Sequence, residues 1–162
     1  MRRFITLLIP TVFFLSCVTE RSNKPLIAFD VYCEMVANDA KPLALHYPMA
    51  PEEIDGLWKE FSGTAEKYDV QLHREDDFPV SALFPAEVTQ GKSVVLIYKG
   101  DRLKQYEQWK SDLKNVEDDS KEQEVLARRF GRLLGYSTQG INDLLSKNTT
   151  YQSLASFGVE KQ

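Results

Sequence analysis

Apolar positions recur at two periods along this chain, and the places where the period changes divide it into elements. Ala28, Val31, Tyr32, Met35 and Val36 return every three or four residues, the spacing of one helix face, and the pattern stops near Asn38. Between Pro42 and Pro48, Leu43, Leu45 and Tyr47 alternate with Ala44 and His46, which predicts a strand. The clearest helix follows. Pro51 suits a first helical position, Glu52 and Glu53 favour the positive end of the helix dipole, and Ile54, Leu57, Trp58, Phe61 and Ala65 form one stripe. Tyr68, Val70 and Leu72 then alternate with Asp69, Gln71 and His73, predicting a strand with one covered face and one wet face. Ser93 to Tyr98 is a continuous β-branched and apolar run, expected to be a central strand buried on both faces.

The C-terminal half reads as helices. Lys99-Gly100-Asp101 makes a turn in which Asp101 is placed to cap a helix carrying Leu103, Tyr106, Trp109 and Leu113 inward. After the polar break Glu117-Asp118-Asp119, Ser120 and Gln123 have capping-box spacing, and Leu126, Phe130, Leu133 and Leu134 share a face. Gly135 can end this helix, and Ser137 or Thr138 can start a last one with Ile141, Leu144 and Leu145 inward. Tyr151, Leu154 and Phe157 predict that the tail docks. The aromatic residues in phase with these stripes, Trp58, Tyr106 and Trp109 among them, are expected in the core. The segment 74–91 lacks periodicity, holding Asp76-Asp77, Pro79 and Pro85 beside Phe78, Val80, Leu83 and Phe84, so it is either a functional loop or a packed excursion. The expectation is a single α/β or α+β domain over residues 26–162. Its small three-stranded sheet contains a βαβ-like unit and is covered by four to five helices.

Composition narrows this. With 162 residues, 43% of them hydrophobic, the chain can build one real core. The net charge of −4 offers no basic face for phosphate neutralisation, so nucleic acid is not an expected partner. Local composition differs sharply at the start. Arg2 and Arg3 precede an uncharged apolar run of twelve residues, Phe4 to Leu15, interrupted by Pro10. A helix spanning a bilayer takes about 20 residues, so the run reads as a targeting segment rather than an anchor.

Phe14-Leu15-Ser16-Cys17 resembles the lipobox of bacterial lipoprotein precursors, in which a small residue precedes a cysteine that is acylated and becomes the first residue of the mature chain. Phe14 departs from the Leu more usual in that family. The resemblance implies residues 1–16 as signal peptide, lipidated Cys17 with a tether through residue 25, and membrane attachment through acyl chains. In a Gram-negative cell it implies the outer membrane, facing the periplasm, because Val18 is not the aspartate that retains such proteins at the inner membrane. Cleavage removes two arginines and no acid, so net charge moves from −4 to −6. Cys17 and Cys33 are the only cysteines. Lipidation leaves Cys33 alone, as a small buried hydrophobe among Val31, Tyr32, Met35 and Val36, whereas an unlipidated Cys17 leaves a Cys17 to Cys33 bridge open.

No nucleophile elbow, phosphate loop, His-Glu-x-x-His or Cys-x-x-Cys occurs, and no metal or cofactor is expected. Two constellations stand out. His46 and His73 each lie near a strand end, and with Glu75 nearby they form an acid/base or metal candidate if the strands run parallel. The second is the stretch Arg128, Arg129, Gly131, Arg132, Gly135 and Tyr136, where Arg128 and Arg132 share a helix face able to fork onto a carboxylate or phosphate. Glycine inside a helix costs about 1 kcal/mol relative to alanine, so Gly131 points to a close approach. The leading expectation is a lipid-anchored, non-enzymatic binding module of the bacterial envelope, its partner another envelope protein engaged through 74–91 and Arg128 to Tyr136. The alternatives are a small hydrolase or metal-dependent enzyme built on His46 and His73, and an anion carrier built on Arg128 and Arg132.

Overall fold

A computed structural model describes residues 23–116 and 120–158, with side chains described up to Asn148 apart from that of Ser120. The expected signal segment, the lipobox and the tether through Ser22 lie outside the described residues, as do the tail side chains expected to dock. Six helices and three strands follow in the order α1 (Lys24–Ala37), β1 (Leu43–Leu45), α2 (Pro51–Lys67), β2 (Gln71–Glu75), α3 (Ala86–Thr89), β3 (Val94–Tyr98), α4 (Arg102–Asn115), α5 (Ser120–Leu133) and α6 (Thr138–Gly158). No helix among the described residues is long and apolar enough to cross a membrane.

The sheet has the order β1-β3-β2, and β3 pairs antiparallel with both neighbours. It is a small α/β fold in which β1, α2 and β2 form the expected βαβ-like unit, with β3 inserted between its two strands. All five β3 residues are buried, as their apolar run predicts. Because side chains alternate across the sheet, Leu43, Val94, Leu96 and Tyr98 face one core and Ala44, Val95 and Ile97 face another. α1 and α2 close the second core with Phe29, Cys33, Val36, Ile54, Phe61 and Ala65. α4, α5 and α6 close the first with Tyr106, Trp109, Leu126, Phe130, Leu134 and Ile141. The result is three layers, with the sheet in the middle.

Four local expectations change. α1 begins at Lys24, inside the expected tether, with Pro25 in its first turn where the missing N–H is harmless. Its buried residues are Phe29, Cys33 and Val36, while Val31 and Met35 are exposed, because two apolar rows run along this helix and periodicity alone does not select between them. β2 starts at Gln71 and runs to Glu75; Asp69 and Gln71 are exposed as expected, and only the far end of the polar face is covered, where Glu75 is buried under α4. Asp101 precedes α4 but makes no side-chain cap.

The end of α5 follows its sequence closely. Gly135, at φ 75°, lets its own N–H reach the Arg132 carbonyl at 2.9 Å while the Tyr136 N–H reaches that of Gly131 at 2.9 Å. That pair of bonds is the Schellman closure, and a β-carbon on Gly135 would also meet Pro42 Cδ at 3.2 Å. Ser137 then caps α6 by accepting the Gly140 N–H at 3.0 Å. Segment 74–91 is a packed excursion. Phe78 and Leu83 enter the first core, and Asn148 Nδ2 on α6 donates to the Ala82 and Leu83 carbonyls at 2.8 and 2.9 Å.

Candidate functional site

The two histidines do not converge. β2 pairs His73 with Leu96 and so places it on the first-core face, whereas His46 follows β1 on the opposite face among Phe29, Phe61 and Tyr47. The His46 ring is fully buried; its Nε2 donates to the Pro25 carbonyl at 3.1 Å, its Nδ1 has no partner, and burial lowers its pKa, which favours the neutral ring. It is a packing residue tying the first turn of α1 to the end of β1. No group of three His, Cys, Asp or Glu that could hold a metal occurs among the described residues. Cys33 is fully buried and its thiol is pushed up to about 12, chiefly by burial and then by Asp30, so it stays protonated and inert.

Both polar clefts of interest lie along α4, on its two sides. On one side Tyr106, Lys110 and Lys114 recur every four residues and meet His73, Arg74 and Glu75 of β2 around a cleft of about 530 Å³. Glu75, 7% exposed, accepts from Lys110 Nζ at 2.8 Å, the Tyr106 hydroxyl at 3.0 Å and the Asp77 N–H at 2.8 Å. Burial alone would raise the Glu75 carboxyl; the bonds from Lys110, Asp77 and Tyr106 outweigh it and hold the group below its ordinary value. The remaining cations are matched too. Lys110 and Lys114 lie 3.5 and 3.6 Å from Asp77, and Arg74 pairs with Asp55 and Asp76. Each lysine and arginine lining this cleft is answered by a carboxylate of the chain, which is the arrangement of a structural network.

The other side of α4 presents Arg102, Gln105 and Trp109, which with Arg129, Arg132, Leu133 and Pro42 enclose about 270 Å³. Its floor is rigid: Trp109 stacks on Phe130 at 3.9 Å and 12°, and Trp109 Nε1 donates to the Leu126 carbonyl at 3.0 Å. Three arginines line this cleft, and among the described residues only the guanidinium of Arg129 meets a carboxylate, on Asp112. Arg102 Nη1 donates to the neutral Gln105 at 3.0 Å. Arg128, expected to act with Arg132, turns instead to Glu124 at 2.7 Å and to Asn142 of α6 at 2.6 Å. Of the sequence-predicted stretch, Arg129 and Arg132 thus stay at the cleft. Gly131 serves packing, since a β-carbon there would lie 2.7 Å from Ile141 Cγ1. Tyr136 holds a cation, Lys41 Nζ, 4.7 Å over its ring, and the same ammonium caps α5 through the Leu134 carbonyl at 2.7 Å.

Arg102 is the cleft residue that sequence reasoning missed. Its signal lay in the spacing Arg102, Gln105, Trp109, an i, i+3, i+7 row, but an arginine in the first turn of a helix, where the dipole disfavours cations, attracts no attention by itself. Comparison with protein-family models, with curated proteins and with solved structures finds no match for the chain.

Proposed function

We propose that this chain is a lipid-anchored, non-enzymatic binding module of the bacterial envelope. In this reading it is moored through Cys17, in a Gram-negative cell to the outer membrane facing the periplasm. Its Arg102–Arg129–Arg132 cleft takes a carboxylate or phosphate group presented by an envelope partner. The mooring rests on the order of basic residues, apolar run, small residue and cysteine in residues 1–17. The binding role rests on one observation, the surplus of guanidinium over carboxylate on a rigid aromatic floor. Guanidinium forks match planar or tetrahedral oxyanions through paired N–H donors, and a site that already carries the cations needs only the anion to close.

The test is thermal unfolding of the full-length mature protein against inorganic phosphate. A ligand at a hundred times its dissociation constant stabilises by about 2.7 kcal/mol, a shift of several degrees. Arg132→Ala and Arg102→Ala should lose that shift and Arg128→Ala should keep it; equal shifts in all four proteins would refute the binding role. The mooring is tested separately, because Cys17→Ala should move a folded protein from the membrane to the soluble fraction.

A further inference from the structure

Among the described residues, α1 is the helix over the sheet whose outward side carries a row of large apolar residues, set among Lys24, Asp30 and Glu34. Phe29, Cys33 and Val36 are buried, while Ile27, Val31 and Met35, each four residues after the last, form a single outward row at 64%, 44% and 37% exposure. Lys24 lies at the head of the row and Glu34 borders it. α2 covers the same sheet face and shows Glu52, Lys59, Glu60 and Glu66 outward instead. A helix that is apolar on both sides has a second surface to meet.

We infer that this row lies against the phospholipid surface to which Cys17 is anchored, so that α1 fixes the orientation of the domain on the membrane. The inference rests on the lipidation proposed above. Six peptide steps separate Cys17 from Asn23, and even fully extended they reach about 21 Å, so acyl chains at Cys17 hold the start of α1 close to the lipid. Ile27 follows within one turn of Lys24. The charge at the head of the helix also suits a surface containing anionic lipid: over residues 17–25 Arg21 and Lys24 stand against Glu20, and of the two acids further along α1, Asp30 is paired with Lys67 and Glu34 lies at the edge of the row. Apolar side chains entering the headgroup boundary beside an acyl anchor add a second attachment to the first. With α1 down, α4 and α5, which carry Arg102, Arg129 and Arg132, lie on the other face of the sheet from the lipid.

The experiment uses the natural precursor, processed in cells, purified and reconstituted into vesicles of phosphatidylethanolamine and phosphatidylglycerol. Intact mass first establishes whether Cys17 carries acyl chains. An environment-sensitive thiol probe is then placed at Val31→Cys and, as control, at Lys59→Cys on the outward side of α2, both surface positions, with Cys33 buried. Iodide in the water should quench the probe at 31 about threefold less than that at 59, and nitroxide-labelled lipid should quench it more. Equal quenching at the two positions overturns the inference and leaves lipidation standing. Protection from iodide at 31 without nitroxide quenching also overturns it, and assigns the row to a second copy of the chain or a protein partner. A mass without acyl chains removes the lipidation reading and this inference together.

Discussion

The two sides of α4 show how similar side chains come to do different work. Lys110 and Lys114 on one side, and Arg102 with Arg129 and Arg132 on the other, are comparable in charge and in lining a cleft. What differs is the count of carboxylates. Glu75, Asp76, Asp77 and Asp55 answer the cations on the β2 side, whereas Asp112 alone, among the described residues, answers those on the α5 side. A neutralised cluster spends its electrostatics on holding α4 to β2, and an unneutralised one keeps its own available for a ligand. The lesson is that arginines or lysines in a cleft identify a site only after their partners within the chain have been subtracted.

The largest effect expected from this contrast falls on the neutralised side. Lys110→Met keeps the aliphatic stem on α4 but leaves Glu75 buried without its cation, and should cost about 3 kcal/mol in urea unfolding. Arg132→Ala, on the exposed side, should change stability by less than about 0.5 kcal/mol while removing the response to phosphate. Comparable costs for the two substitutions would erase the distinction between the clefts. Gly131→Ala lies between them. Its new methyl must displace Ile141, which is 1% exposed, and overpacking of this kind costs about 1–3 kcal/mol. If it unfolds no more easily than wild type, the crossing of α5 and α6 is looser than the 2.7 Å approach implies.

Acid should also separate the two sides. Glu75 has a folded pKa below its ordinary 4.5, so its stabilisation is complete above that value and disappears as the pH falls through the folded pKa. One such group gives a slope of at most about 1.4 kcal/mol per pH unit. Glu75→Gln should therefore flatten the loss of stability below pH 4.5; a variant with an unchanged acid slope would show that the network around Glu75 does not carry it.

The same carboxylate shows where sequence reading stops. The stripes of α2, α4 and α5, the buried run of β3 and the glycine that ends α5 were all legible, because each rests on local periodicity or a local backbone requirement. α1 was not resolved in the same way: with two apolar rows, its buried row Phe29, Cys33, Val36 and its exposed row Ile27, Val31, Met35 look alike until the sheet is in place. Likewise, the polar face of β2 is wet at Gln71 as read, yet nothing local announces that Tyr106, thirty-one residues on, will cover its far end at Glu75. The cleft was half legible. Arg129 and Arg132 lie one helical turn apart, but Arg102 joins them only through the packing of α4 on α5. The shared face of Arg128 and Arg132 misled for a similar reason, since Glu124 and Asn142 claim the first guanidinium.

The finest test of the comparison reverses the carboxylate count. Asp112 is the single acid paired at the arginine cleft among the described residues, where it receives Arg129, and its hydrogen bonds from Gln108 and then Arg129 hold its carboxyl below the ordinary value, in the charged state. Asp112→Asn removes that charge while preserving an oxygen for Gln108 and size for the helix. If internal carboxylates decide which cleft binds, releasing Arg129 from its partner should lower the phosphate concentration for half-maximal thermal stabilisation by about twofold, in line with what an exposed pair contributes. A higher concentration would mean that Asp112 positions Arg129 for the ligand rather than competing for it.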